Sequence, residues 1–162
     1  MDIHEYQAKD ILRGYGIKLA EGGIAYSPEQ AVQRAREIGG KVWVVKAQIH
    51  SGARGKAGGI KICTTHDEVS EAAENLLGKR LVTHQTGAAG KVCSRLYIEA
   101  GTDIAKELYL SFLVDRVQER IVMVGSAEGG MEIEDLAENN PDAITKIYID
   151  PAVGLSDFQA RE

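Results

Sequence analysis

Lys46 and the glycine-rich run beyond it are the residues of this sequence whose types and spacing best suit chemistry. Lys46 ends the apolar stretch Trp43-Val44-Val45-Lys46-Ala47, and the loop Ser51-Gly52-Ala53-Arg54-Gly55-Lys56-Ala57-Gly58-Gly59 follows. Glycines let a backbone approach an anion closely and turn N–H groups toward it, while Lys46, Arg54 and Lys56 supply positive charge. The chemistry implied is binding of the phosphates of ATP or a related nucleotide. A Walker A loop is excluded, because the Gly52 to Gly55 spacing is wrong and Lys56 is followed by Ala57, which offers no hydroxyl to magnesium. A dinucleotide fingerprint is excluded too: Ala53 breaks the glycine pair, and the loop leads into the strand-like alternation Gly59-Ile60-Lys61-Ile62-Cys63. The segment therefore reads as a strand, glycine loop, strand hairpin. On the loop alone, a flexible hairpin with a solvated basic tip is the competing reading.

The elements that must position these residues are legible on both sides. Ile3, Tyr6, Gln7, Asp10, Ile11 and Leu12 predict a short amphipathic helix stopping near Gly14 or Gly16. Ser27-Pro28-Glu29-Gln30 is a helix start with a hydroxyl cap and proline in the first turn, and Gly39-Gly40 ends that helix. Strands are expected over 42–47 and 59–63, a helix capped by Thr65 with Glu68 at its third position and running to Leu76-Leu77, and a strand from Val92 to Ala100. Beyond lie two strand-like runs, 105–116 and 120–127, around a turn at Gln118-Glu119. Met131, Ile133, Leu136 and Ala137 have helical spacing up to Asn139-Asn140-Pro141, and a strand is expected from Ile144 to Ile149. The fold class is α/β (α+β), with a first lobe over 21–101 and a second unit beyond the joint Ala100-Gly101-Thr102. That joint is the expected hinge and ligand crevice. Glu99 closes one strand there and Glu107 opens the next, with Thr102 between, so the three could hold a base and a ribose; on the pair alone, two solvated strand glutamates are the competing and better-supported reading.

With 162 residues, 44% hydrophobic and 27% charged, the chain can bury a core. A net charge of -5 argues against general binding to nucleic acid or an anionic membrane, and makes the basic loop a local site for a small anion. Cys63 and Cys93 have neither C-x-x-C spacing nor a histidine at metal spacing, so both read as reduced, buried thiols in a cytoplasmic protein. There is no apolar run of about 18 residues, and Met1-Asp2-Ile3-His4-Glu5-Tyr6 shows no basic-then-apolar pattern, so a soluble, untargeted product is expected.

The sequence resembles the β subunits of ADP-forming acid–CoA ligases, the succinyl-CoA synthetase family with its malate–CoA ligase relatives. The resemblance is carried by His4-Glu5-Tyr6-Gln7-Ala8-Lys9, the run from Val44 to Gly59, Leu77-Gly78-Lys79-Arg80-Leu81-Val82-Thr83, Asp103-Ile104-Ala105-Lys106-Glu107-Leu108-Tyr109-Leu110, and Glu128-Gly129-Gly130-Met131-Glu132-Ile133-Glu134. It implies an ATP-grasp fold, in which a small lobe (21–101) and a larger one (1–20 with 102–162, truncated here) hold the nucleotide between two sheets. It implies that Lys46 contacts phosphates, that Ala53-Arg54-Gly55 covers them, and that Glu99, Thr102 and Glu107 hold base and ribose. Where the family commonly reads Gly-Gly-Arg-Gly, this loop has Gly52-Ala53-Arg54-Gly55, and a Cβ at position 53 restricts positive φ.

The resemblance also implies ATP/ADP or GTP/GDP as cofactor, Mg2+ held by residues downstream of Glu162, and an α subunit as partner. In the bacterial cytoplasm the full enzyme would join succinate, or malate, to CoA through a phosphohistidine on that α subunit. On this view the chain is an N-terminal fragment without a catalytic residue or metal ligand of its own, and His4, His50, His66 and His84 are surface or core residues. The alternative of another class is a non-catalytic module that binds nucleotide weakly or serves as a subunit interface.

Overall fold

The computed structural model describes residues 2–131 and 133–162; Met1, and Glu132 of the Glu128–Glu134 segment of the resemblance, lie outside the described residues. The chain divides into two units, Met1–Asp103 and Ile104–Glu162.

The first unit contains helices α1 (Glu5–Gly14), α2 (Pro28–Ile38) and α3 (His66–Leu76), and strands β1 (Gly22–Ala25), β2 (Trp43–Ala47), β3 (Ile60–Cys63) and β6 (Leu96–Ala100). The four strands form an antiparallel sheet in the order β1-β6-β2-β3. Between β3 and β6 a small ladder pairs β4 (Arg80–Leu81) with β5 (Lys91–Val92). Period-two alternation gives the sheet two faces of different character. Trp43, Val45 and Ala47 of β2 and Leu96 and Ile98 of β6 enter a core closed by Ala31 and Ala35 of α2 and Val69, Ala73 and Leu76 of α3. Of these, Val45, Leu96, Ile98, Val69 and Leu76 each contribute about 1.5–3 kcal/mol on full burial. The opposite face carries Val44 beside Glu99 and Lys46 beside Tyr97.

The helix starts follow their cap residues. Ser27 Oγ accepts from the Gln30 N–H at 3.3 Å and Thr65 Oγ1 from the Glu68 N–H at 3.1 Å, each satisfying an orphan donor of the first turn. The Glu68 carboxylate reaches back to the Thr64 N–H at 2.6 Å.

The second unit is an antiparallel sheet in the order β7 (Tyr109–Asp115), β8 (Arg120–Ser126), β9 (Thr145–Ile149), with α4 (Ile133–Asn139), a 3-10 turn over Pro141–Ala143, and α5 (Asp157–Ala160). Asp115 Oδ1 accepts the N–H groups of Val117 at 2.9 Å and Gln118 at 3.1 Å, an Asx-type turn that sets the β7–β8 hairpin.

Two expectations change. The strand expected over Val92–Ala100 is broken at 93–95, because the backbone changes partners there: Cys93 exchanges hydrogen bonds with Gly78 and Lys79, whereas the Arg95 carbonyl already accepts from Gln48. The run expected from residue 105 starts at Tyr109, so Glu107 precedes the strand instead of opening it. Within the first unit the helix of the N-terminal segment lies against the Lys46 face of the sheet.

Candidate nucleotide site

Lys46 reaches the open face of the first sheet through the β2 register, which pairs it with Tyr97 and pairs Val44 with Glu99. Its ammonium donates to Glu99 Oε2 at 2.5 Å and to Glu5 Oε1 at 3.1 Å. Arg54 bends back from the glycine loop, donating from Nη2 to Glu5 Oε2 at 2.7 Å and from Nη1 to the Ala47 carbonyl at 2.7 Å. Lys9 of α1 pairs with Glu99 and, at 3.3 Å, with Glu5, and its ammonium sits 5.2 Å from the Tyr97 ring centroid. Three cations thus surround two carboxylates. Glu99 is the most enclosed, its side chain 7% exposed against 17–19% for the other four.

Burial works against both charges of the Lys46–Glu5 pair, and the partners outweigh it. Burial opposes ionisation of the Glu5 carboxyl, but the Lys46 and Arg54 charges and their hydrogen bonds hold it down at about 2. Burial likewise disfavours the Lys46 ammonium, yet the hydrogen bond to Glu99 and the charges of Glu5 and Glu99 raise its pKa above the ordinary lysine value.

The glycine loop is anchored at both ends. Gly52 donates its N–H to Gln85 Oε1 at 2.6 Å, Ser51 Oγ shares a 2.6 Å hydrogen bond with Thr83 Oγ1, and the Gly59 N–H donates to the Arg54 carbonyl at 2.8 Å. Ala53 adopts φ +54°, the left-handed conformation that favours glycine. A cavity of about 530 Å³ opens beside the loop, lined by Glu5, His50, Ser51, Gly52, Arg54 and Gln85 among others.

The predicted site residues are brought together in part. Lys46, Arg54 and Glu99 meet in one network; Ala53 and Gly55 flank Arg54 in the loop. Thr102 is exposed in the coil just after β6, and Glu107 lies in the second unit against the Gly129-Gly130 turn, where it fills the space a Cβ on Gly130 would need. Glu5 and Lys9 were missed as site residues. Their i,i+4 spacing on a helix was visible, but nothing local shows that the pair faces Lys46 and Glu99. Of the histidines, His4 stacks on His50 with ring centroids 4.0 Å apart and His66 lies 4.9 Å from the Trp43 ring. Cys63 and Cys93 are buried free thiols whose pKa values burial pushes up, in keeping with a packing role. Among the described residues no three His, Cys, Asp or Glu side chains are grouped as metal ligands, and no helix is long and apolar enough to cross a membrane.

A sequence profile described as the ATP-grasp domain matches residues 2–162. The chain belongs to the ATP-grasp family. Its relatives include a "probable malate–CoA ligase subunit β" of Mesorhizobium japonicum, 60% identical over 162 residues, and the ADP-forming succinate–CoA ligase β subunits of Bdellovibrio bacteriovorus and Bacillus subtilis, 58% and 56% identical over the same length. All of this ATP-grasp chain is matched in each case, and it spans 41–42% of the length of those relatives. Among solved structures, it superposes on acetyl-coenzyme A synthetase 1 of Ca. Korarchaeum cryptofilum, in complex with coenzyme A, Ca-AMPCP and HgCl+, with a TM-score of 0.71 at 22% identity, covering 99% of this chain and 64% of that one. It superposes on the ATP citrate lyase of Methanothrix soehngenii with a TM-score of 0.66 at 21% identity, covering 95% and 36%. At such identities the likeness shows the fold, which is the ATP-grasp fold expected from the sequence.

Proposed function

We propose that this chain is the nucleotide-binding portion of the β subunit of an ADP-forming acid–CoA ligase acting on succinate. The observation that carries the nucleotide half is the convergence of Lys46 and Arg54, from a strand and a glycine loop, on a single carboxylate. Two cations that can share two oxygens of one anion are placed to neutralise and align phosphates, which is most of what phosphoryl transfer asks of a protein. The ligase half rests on 53–60% identity, over the whole chain, to succinate–CoA and malate–CoA ligase β subunits.

In this reading Lys46 and Arg54 hold the phosphates, the backbone of Ala53-Arg54-Gly55 covers them, and Glu99, Thr102 and Glu107 accept from base and ribose. Residues 21–101 are the small lobe, and 1–20 with 102–162 belong to the larger. Mg2+ and CoA are held by residues outside this chain, and an α subunit supplies the histidine that carries phosphate. The working place of such an enzyme is the cytoplasm. Malate is the second reading, favoured by the 60% identity to the Mesorhizobium japonicum protein.

Calorimetric titration with ATP and with ADP, on wild type and Lys46→Ala, tests the nucleotide half. Saturable binding, weakened at least tenfold by the substitution, is the expected result; none from a folded chain overturns it. Mixing with the α subunit, CoA, ATP and either succinate or malate reads the ligase half. Residues 1–162 alone are expected to form no thioester, and a β subunit extended to the length of the relatives is expected to favour one acid; the absence of either thioester there would sink the ligase assignment.

A further inference from the structure

Helix α1 is attached to the first sheet in an unusual way. None of its side chains is buried, and Ile11 and Leu12 are 53% and 43% exposed. Tyr6 and Ala8 are half-buried, and the specific contacts that hold it are mainly ionic: Glu5 on Lys46 and Arg54 and Lys9 on Glu99, beside the His4–His50 stack and the Tyr6 N–H toward Gln48 Oε1 at 3.4 Å. A helix docked by apolar burial stays docked whatever anions are present. One docked by ion pairs is released by any anion that takes its cations.

The Glu5 carboxylate stands as a phosphate would. One oxygen is 3.1 Å from Lys46 Nζ and the other 2.7 Å from Arg54 Nη2, with the Gln48 amide 3.4 Å from the second. A nucleotide polyphosphate presents more oxygens and more charge than a carboxylate; a terminal phosphate alone carries about −1.5 to −2 near neutral pH. It cannot occupy Lys46 and Arg54 while Glu5 remains, since the two anions would share the same donors and repel.

Building on the nucleotide reading above, we infer that Glu5 is an internal stand-in for phosphate: it holds Lys46 and Arg54 in the nucleotide-free protein, and a polyphosphate displaces it and frees α1 from the sheet. The site then discriminates by charge as well as by shape. A nucleoside monophosphate, whose one phosphate offers fewer oxygens and less total charge than the chain of ADP or ATP, displaces the carboxylate less readily than they do. The excess cation of the network keeps the vacated site attractive, because Lys46 and Arg54 outnumber the single remaining carboxylate, Glu99, once α1 has carried Glu5 and Lys9 away.

Two measurements on the full chain test this. The first is titration of wild type, Glu5→Gln and Glu5→Gln/Lys46→Ala with ATP, ADP and AMP. The second is amide hydrogen exchange over residues 9–14 with and without saturating ATP. Glu5→Gln should bind ATP and ADP at least fivefold more tightly than wild type and narrow their advantage over AMP, and Lys46→Ala should abolish that gain. ATP should speed exchange in α1 of the wild type while slowing it in β2 and β6. Equal or weaker ATP binding by Glu5→Gln, or α1 exchange that ATP leaves unchanged or slows, would overturn the stand-in while leaving the nucleotide reading intact. Failure of both wild type and Glu5→Gln to bind ATP would overturn the nucleotide reading and the stand-in with it.

Discussion

Lys46 and Glu99 meet at 2.5 Å although neither is the other's register partner: Lys46 lies opposite Tyr97, and Glu99 opposite Val44. The contact is the two-residue diagonal on one face of an antiparallel pair, a separation that a long side chain spans readily. A lysine at this position and a carboxylate two residues along the neighbouring strand therefore define the charged centre of the sheet. Among the described residues the ion-pair partners of Glu99 are Lys46 and Lys9, and its side chain is 7% exposed, so removing Lys46 strands much of its charge. In a double-mutant cycle with Lys46→Met and Glu99→Gln, followed by urea unfolding, the expected coupling is about 1–2 kcal/mol, between values for exposed and buried pairs. A coupling near zero would mean that solvent screens the pair despite its enclosure.

The Glu5 carboxyl gives the N-terminal helix a pH dependence of known sign. Its pKa in the folded chain is about 2, against an ordinary value of 4.5, with Lys46, Arg54 and Lys9 facing it and Glu99 beyond them. A depressed folded-state value means that the contribution is fully present above the unfolded value and is lost as pH falls toward the folded one. Between about pH 5 and pH 3, wild type should lose more stability than Glu5→Gln, whose side chain has no proton to take up. Urea midpoints at the two pH values read the difference; parallel losses would contradict it.

Ala53 holds φ +54°, where its Cβ is strained. The left-handed conformation costs a non-glycine residue about 1–2 kcal/mol, and part of that is offset because glycine loses more entropy on folding. Ala53→Gly should therefore raise stability by about 0.5–1 kcal/mol, and Ala53→Val should lower it by about 1–2 kcal/mol, since a β-branched residue fits this region worst. Thermal unfolding of the two variants beside wild type checks both signs.

How much of this was legible in the sequence varies with the range of the interactions. Helices Pro28–Ile38 and His66–Leu76 were read almost to the residue because Ser27 and Thr65 announce them locally. The hairpin around the glycine loop was read because lysine, glycines and alternation lie within twenty residues of one another. The Val92–Ala100 strand was misread because its composition is uniformly strand-like, while its break at 93–95 depends on partners at Gly78, Lys79 and Gln48. Lys46 and Arg54 could be nominated as phosphate ligands from residue type alone. Glu5, 41 residues before Lys46 in the chain, could not, since no local pattern says which cation a helical carboxylate will meet.

The return of the glycine loop into β3 depends on space at Gly59. The residue is buried, with its N–H donating to the Arg54 carbonyl at 2.8 Å and its own carbonyl accepting from the Ala47 N–H at 2.8 Å, so its backbone is tied on both sides. A Cβ there would stand 2.9 Å from Leu81 Cδ1, 3.1 Å from the Arg54 carbonyl oxygen and 3.4 Å from Ala47 Cβ. Leu81 is 1% exposed within the core and has little room to yield, and the Arg54 carbonyl is backbone. Gly59→Ala should cost about 1–3 kcal/mol by overpacking and should move Arg54 away from Glu5. Because two obstacles are present, Leu81→Ala should relieve only part of the clash. The double variant should be less destabilised than the sum of the singles by about 0.5–1 kcal/mol. Urea unfolding of the four proteins measures that difference, and strict additivity would show that the crowding lies wholly against the Arg54 backbone.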